Sequence, residues 1–90
     1  ESPDFAICNA RRFACGKVEA WLDVHKSVLR DAAFTGDFLS VRDLGDLQQA
    51  LKNCAYTRDA LRDRLQGQPL TEYFGKITED EFLDLLCGEA

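Results

Sequence analysis

One pattern, written twice, constrains this chain more than any other feature. Phe38-Leu39-Ser40-Val41-Arg42-Asp43-Leu44-Gly45-Asp46-Leu47 is echoed by Gly75-Lys76-Ile77-Thr78-Glu79-Asp80-Glu81-Phe82-Leu83-Asp84-Leu85-Leu86. Each copy runs apolar residue, hydroxyl, two further residues, carboxylate, and then an apolar helical face. Leu39 or Ile77 is followed by Ser40 or Thr78 as a helix cap, and the acid three residues later, Asp43 or Glu81, is placed to complete a capping box.

Helical signals extend over most of the remaining sequence. Ser2-Pro3-Asp4 supplies a cap, a proline at the first helical position and an early acid, predicting a helix that carries Phe5, Cys8 and Phe13 up to Gly16. From about 17 to 31, Val18, Trp21, Leu22, His25, Val28, Leu29 and Ala32 recur at threes and fours. Thr35-Gly36-Asp37 marks a turn, and a helix over 41–54 aligns Leu44, Leu47, Leu51 and Cys54. Thr57 caps the next helix, with Leu61 and Leu65 facing inward and Gly67 and Pro69 ending it. Thr78 with Glu81 opens the last, whose face is Phe82, Leu85 and Leu86. No strand-like run of five residues stands out. The expectation is an all-α single domain over 1–90, with at most a two-residue bridge between Leu39 and Ile77.

Composition narrows the function classes. Hydrophobic residues at 46% and charged residues at 30% describe a globular chain. With 11 basic against 16 acidic side chains the net charge is -5, which repels phosphate backbones and anionic lipid and suits basic partners, so nucleic acid is not expected. No apolar run approaches the roughly 20 residues of a membrane span, so no insertion is expected. The chain starts at Glu1 and lacks Met and a signal-peptide pattern, which suggests a processed product or a fragment. Cys8, Cys15, Cys54 and Cys87 allow three disulfide pairings. In a continuous helix Cys8 and Cys15 would stand about 10.5 Å apart, too far to bridge. Cys54 and Cys87 close apolar stripes as small hydrophobes, so reduced thiols are favoured over a disulfide framework, and no zinc-type spacing occurs.

The order of these signals resembles a calmodulin-type pair of EF-hands. Thr57-Arg58-Asp59-Ala60-Leu61 matches the start of a second entering helix, and the two loop ends are separated by close to the family's internal repeat. The resemblance implies a first unit over 17–54, a second over 55–90 and an added N-terminal helix over 1–16. The calcium ligands are missing, however. Counting back from Asp43 puts Ala32, Phe34 and Gly36 at loop positions one, three and five; counting back from Glu81 puts Leu70, Glu72 and Phe74 there, with Gly75 at six. A calcium loop needs oxygens at those positions. A shift by one recovers only Asp31 in the first loop. Asp43 and Glu81 are therefore read as capping partners, and neither metal nor cofactor is expected.

By that resemblance the chain looks like a calcium-independent lobe, a light chain or adaptor holding a basic amphipathic helix such as a myosin neck or IQ-like segment. The groove residues expected are Leu44, Leu47, Leu51, Phe82, Leu85 and Leu86. The same residues also suit a core. His25 is the sole histidine and has no companion nucleophile, so it reads as a partly buried imidazole and no enzyme is expected. Trp21 reads as core and as a partner anchor only secondarily. Arg58, Arg62 and Arg64, interleaved with Asp59 and Asp63, read as an exposed face laced with ion pairs. The expected compartment is the cytoplasm. The alternative reading is a small secreted, disulfide-linked helical ligand, toxin subunit or inhibitor.

Overall fold

The computed structural model describes residues 5–38 and 42–88. Its first half is sheet. Strands β1 (Ile7–Phe13), β2 (Gly16–His25) and β3 (Val28–Gly36) form consecutive antiparallel hairpins. After them come α1 (Leu44–Leu51), the short β4 (Cys54–Ala55), α2 (Arg58–Arg64), the single turn α3 (Leu70–Tyr73) and α4 (Glu79–Cys87). The strand order is β1-β2-β3-β4, with β4 pairing Ala55 to Val28 and Cys54 to Leu29. The all-α, paired helix-loop-helix expectation is therefore overturned. So is the N-terminal helix, since Ile7–Phe13 is a strand; its proposed cap at Ser2 lies outside the described residues, as do Leu39 and Ser40.

The physical reason lies in a period that the same residues satisfy twice. Val18, Ala20 and Leu22 alternate at two, all fully buried, while Lys17, Glu19, Trp21 and Asp23 alternate outward. Leu29 and then Ala32 and Phe34 are buried on β3, but their parity breaks at Arg30, an extra residue where Leu29 pairs with Val24 and Asp31 with Asp23. That bulge restores the inward face after one unpaired residue. It also spaces Leu29 and Ala32 three apart, which imitates a helix. The second hairpin turns on Lys26 and Ser27, at φ 53° and 63°. Two positive φ values in a two-residue loop give the twist a hairpin needs, although neither residue is the Asn or Gly that usually marks it.

Helices α1 and α4 pack on the sheet, α1 against β3 and α4 against β1, and α2 packs on α4 and β4. Phe82 on α4 meets Phe34 of β3 at 5.5 Å and Phe74, just after α3, at 5.1 Å between ring centroids; Phe34 and Phe74 meet edge-on at 5.5 Å. This aromatic triad joins sheet to helices at the centre of the core.

The helix caps behave as their side-chain chemistry requires. Thr78 accepts from Glu81 N while Glu81 accepts from Thr78 N, a complete capping box on α4. Thr57 accepts from Ala60 N at the start of α2. Helix α1 is capped by Asp43 itself, which accepts from Gly45 N, so Asp43 is the cap and not the capping-box partner of Ser40 that the sequence suggested.

Candidate functional site

The six residues expected to line a helix-binding groove come together in the interior. Leu47, Leu51, Phe82 and Leu86 are 0% exposed and Leu85 is 1% exposed, while Leu44 is half-buried against them. They fill the space between sheet and helices. His25 also departs from its expected setting: it sits exposed at the second hairpin rather than partly buried.

Polar groups gather at two places. The first is the C-terminal end of α4, whose last carbonyls need partners. Asn9 Nδ2, projecting inward from β1, donates to Leu85 O at 3.0 Å and Leu86 O at 3.4 Å, and Tyr56 Oη donates to Leu86 O at 2.6 Å. Two elements remote in sequence thus clasp the helix end. Burial, reinforced by the nearby Cys87, raises the Tyr56 phenol above its ordinary value. Alongside, Arg58 binds Asp84 at 2.8 Å, and Arg11 approaches the same carboxylate at 3.9 Å. Arg58 and Arg62 also reach Asp80, at 3.7 and 3.0 Å. The ion pairs therefore run from α2 across to α4, and not along one helix as the interleaved sequence suggested. Arg64 has another task, donating to the carbonyls of Ala50, Lys52 and Asn53 where α1 gives way to β4.

The second place is the outer face of the sheet. Residues opposite one another in register share a face, so Cys8, Trp21 and Ala33 form one row and Ala10, Glu19 and Thr35 the next. Among the described residues none on this face is buried. Trp21 Nε1 donates to Thr35 Oγ1 at 2.9 Å, and Thr35 Oγ1 donates to Glu19 Oε1 at 3.1 Å. Trp21 is thus half-buried on the outer face and not part of the core. The alternation of β2 would have placed it there, had period two been preferred to period 3.6.

All four cysteines are free: Cys8 exposed, Cys15 and Cys87 half-buried and Cys54 buried. This counts against the disulfide-linked secreted alternative. Burial pushes the Cys15 and Cys54 thiols upward, away from the thiolate form. Among the described residues no three His, Cys, Asp or Glu side chains gather as a metal site, and no helix is long and apolar enough to cross a membrane.

These features define a two-layer domain: an antiparallel sheet with one face packed by short helices and the other left open. Its sequence matches the family described as bacterial lipoate protein ligase C-terminus over residues 2–86, and the chain belongs to that family. It is 35% identical over 85 residues to lipoate-protein ligase LplJ of Bacillus subtilis (strain 168), an alignment covering 94% of this chain and 26% of that protein. It is 26% identical over 88 residues to lipoate–protein ligase 2 of Staphylococcus aureus (strain Mu50 / ATCC 700699), covering 98% of this chain and 26% of that one. The fold is similar to the crystal structure of P. falciparum LipL1 in complex with lipoate, at a TM-score of 0.61 and 16% identity, over 98% of this chain and 24% of the other. The chain spans about a quarter of the length of the curated relatives it matches.

These findings overturn the calmodulin-like and myosin light-chain reading, and with it the IQ-type helix as partner. They also correct the expectation that no enzyme is involved, because the relatives are ligases. The EF-hand resemblance rested on capping signals, which any helix start of this kind carries.

Proposed function

We propose that this domain is the C-terminal part of a lipoate–protein ligase and that the enzyme carrying it joins lipoate to lipoyl-accepting proteins. The match of residues 2–86 to the ligase C-terminus family carries this reading, and 35% identity over nearly the whole chain supports it. Within such an enzyme the domain acts as a packing and positioning unit. Its gathered charged groups are engaged in ties between its own elements, Arg58 to Asp84 and Arg62 to Asp80. Joining a carboxylate to a protein amine in water is uphill, so the remaining three quarters of the enzyme must supply carboxylate activation.

The test is to incubate the full-length protein with lipoate, a nucleoside triphosphate and a lipoyl-accepting protein, and to follow the acceptor by intact-mass spectrometry. A mass gain of one lipoyl group, dependent on both small molecules, is expected. No gain on any lipoyl-accepting protein supplied, from a preparation that is folded, refutes the reading.

A further inference from the structure

The outer face of the sheet has a composition that solvation alone does not require. Its centre is Trp21, flanked in register by the small residues Cys8 and Ala33, with Ala10 in the adjoining row. The indole therefore stands above its surroundings. Its N–H is already committed to Thr35, which is committed in turn to Glu19, so the ring is held by the sheet and offers its apolar surface. A pinned aromatic loses little rotamer freedom when covered, and tryptophan is among the residue types enriched at binding hot spots. Charged residues border it: Arg12 lies opposite Lys17, whose ammonium stands 3.9 Å from the Glu19 carboxylate on the same face, and Asp23 lies opposite Asp31.

The helical side differs. There α2 and α4 turn their charges on each other through Arg58, Arg62, Asp80 and Asp84.

We propose that the Trp21 face is where this domain packs against the larger remainder of its own ligase chain. This rests on the reading given above, that the domain belongs to such an enzyme. Two observations select that occupant. The relatives are about four times as long as the matched segment, which covers 26% of each, so most of the enzyme lies outside this domain and is tethered to it. A tether raises the effective concentration of the partner to roughly the millimolar range, so that a patch too modest to hold a free protein is sufficient. The make-up of the face also suits the purpose. Interfaces between domains of one chain are more polar than obligate subunit interfaces, and one aromatic and three small residues bordered by charges of both signs meet that description.

Cys8 is a native reporter, since it is exposed in the domain and lies opposite Trp21. The full-length protein is alkylated with iodoacetamide and the rate at Cys8 is followed by peptide mass spectrometry. In the wild type Cys8 is expected to react at least tenfold more slowly than a thiol in an unstructured peptide. Trp21→Arg should raise that rate tenfold or more while the buried Cys54 stays unreactive, which shows that the fold is kept. Should Trp21→Arg expose Cys54, Ala10→Arg, at an exposed position on the same face, replaces it with the same expectation. Wild-type Cys8 reacting like a free thiol, or protection unchanged in both variants, overturns the proposal. Protection that grows with protein concentration together with a dimer in sedimentation also overturns it, in favour of a second copy. Lipoyl transfer measured on the same preparation separates the two readings. Transfer with an unprotected Cys8 defeats the docking surface alone, whereas a protected Cys8 without transfer defeats the ligase assignment and leaves the surface supported.

Discussion

Replacing Gly36 with alanine tests the sheet directly, because the β3 register makes this position intolerant of any side chain. Gly36 is the last residue of β3 and pairs with Val18, at φ +143°, a conformation that L side chains rarely adopt. A Cβ built there would stand 2.0 Å from Lys17 O and 2.9 Å from Lys17 C, both backbone atoms. A backbone conformation open only to glycine costs about 1–3 kcal/mol when another residue is forced into it. The clash adds to this, since Lys17 O also accepts from Asp37 N at 2.9 Å. Opening the strand end to admit the methyl breaks that bond, for about 1 kcal/mol more. The expected loss is therefore about 2–4 kcal/mol, a large share of the roughly 5–13 kcal/mol typical of a 90-residue domain. Gly67→Ala is the matched control: φ is +80°, yet nothing lies within 4 Å of the built Cβ. Its left-handed strain of about 1–2 kcal/mol is partly offset by the reduced entropy of the unfolded chain. Urea unfolding followed by circular dichroism gives both values, with m expected to stay constant. If the two variants lie within about 0.5 kcal/mol of each other, the register and the reasoning from it are wrong.

Other perturbations probe the helical layer and its attachment. Thr78→Ala removes one half of the capping box and should cost about 1 kcal/mol by the same urea assay; a neutral result would show that the cap is idle. Phe82→Ala empties the centre of the aromatic triad and should cost about 3–5 kcal/mol, with loss of near-ultraviolet dichroism. Tyr56→Phe takes a donor from Leu86 O and should cost about 1 kcal/mol at neutral pH. The Tyr56 phenol is raised in the folded state, so its neutral form stabilises the fold below about pH 10 and that contribution is lost as pH rises through the folded value. The difference between wild type and variant, from paired urea titrations, should accordingly shrink above pH 10; a constant or growing difference contradicts the burial of the hydroxyl.

Helices α1, α2 and α4 were legible, whereas the strands and the single turn α3 were not, for a physical reason. Helix starts are announced locally: Thr57 and Thr78 sit directly before the turns they cap, and the hydroxyl-to-amide distance is set by the backbone within three residues. Strands β1 to β3 are defined by pairing across hairpins, and both hairpin loops lack the usual two-glycine or Asn-Gly signature, Lys26-Ser27 most of all. Without that punctuation, Val18, Trp21, Leu22, His25, Leu29 and Ala32 fit a helical face by spacing alone. Against a helix stood the complementary set: Lys17, Glu19, Trp21 and Asp23 make every second residue of β2 compatible with solvent, which a helix would not require.

The same asymmetry governs which functional residues a sequence can reveal. The clasp on α4 joins Asn9 and Tyr56 to carbonyls of Leu85 and Leu86, separations at which neither residue type carries any local signal. Only the fold brings them together. Trp21, by contrast, was conspicuous as the single tryptophan, and its meaning depended wholly on parity. As a helix residue it belongs to the stripe with Leu22 and becomes core; as a strand residue it faces away from Leu22, to the side where Cys8, Ala10 and Ala33 leave it standing clear. A shift of period thus moves one side chain from the interior to an open surface, and with it the most prominent apolar group available for docking a larger body.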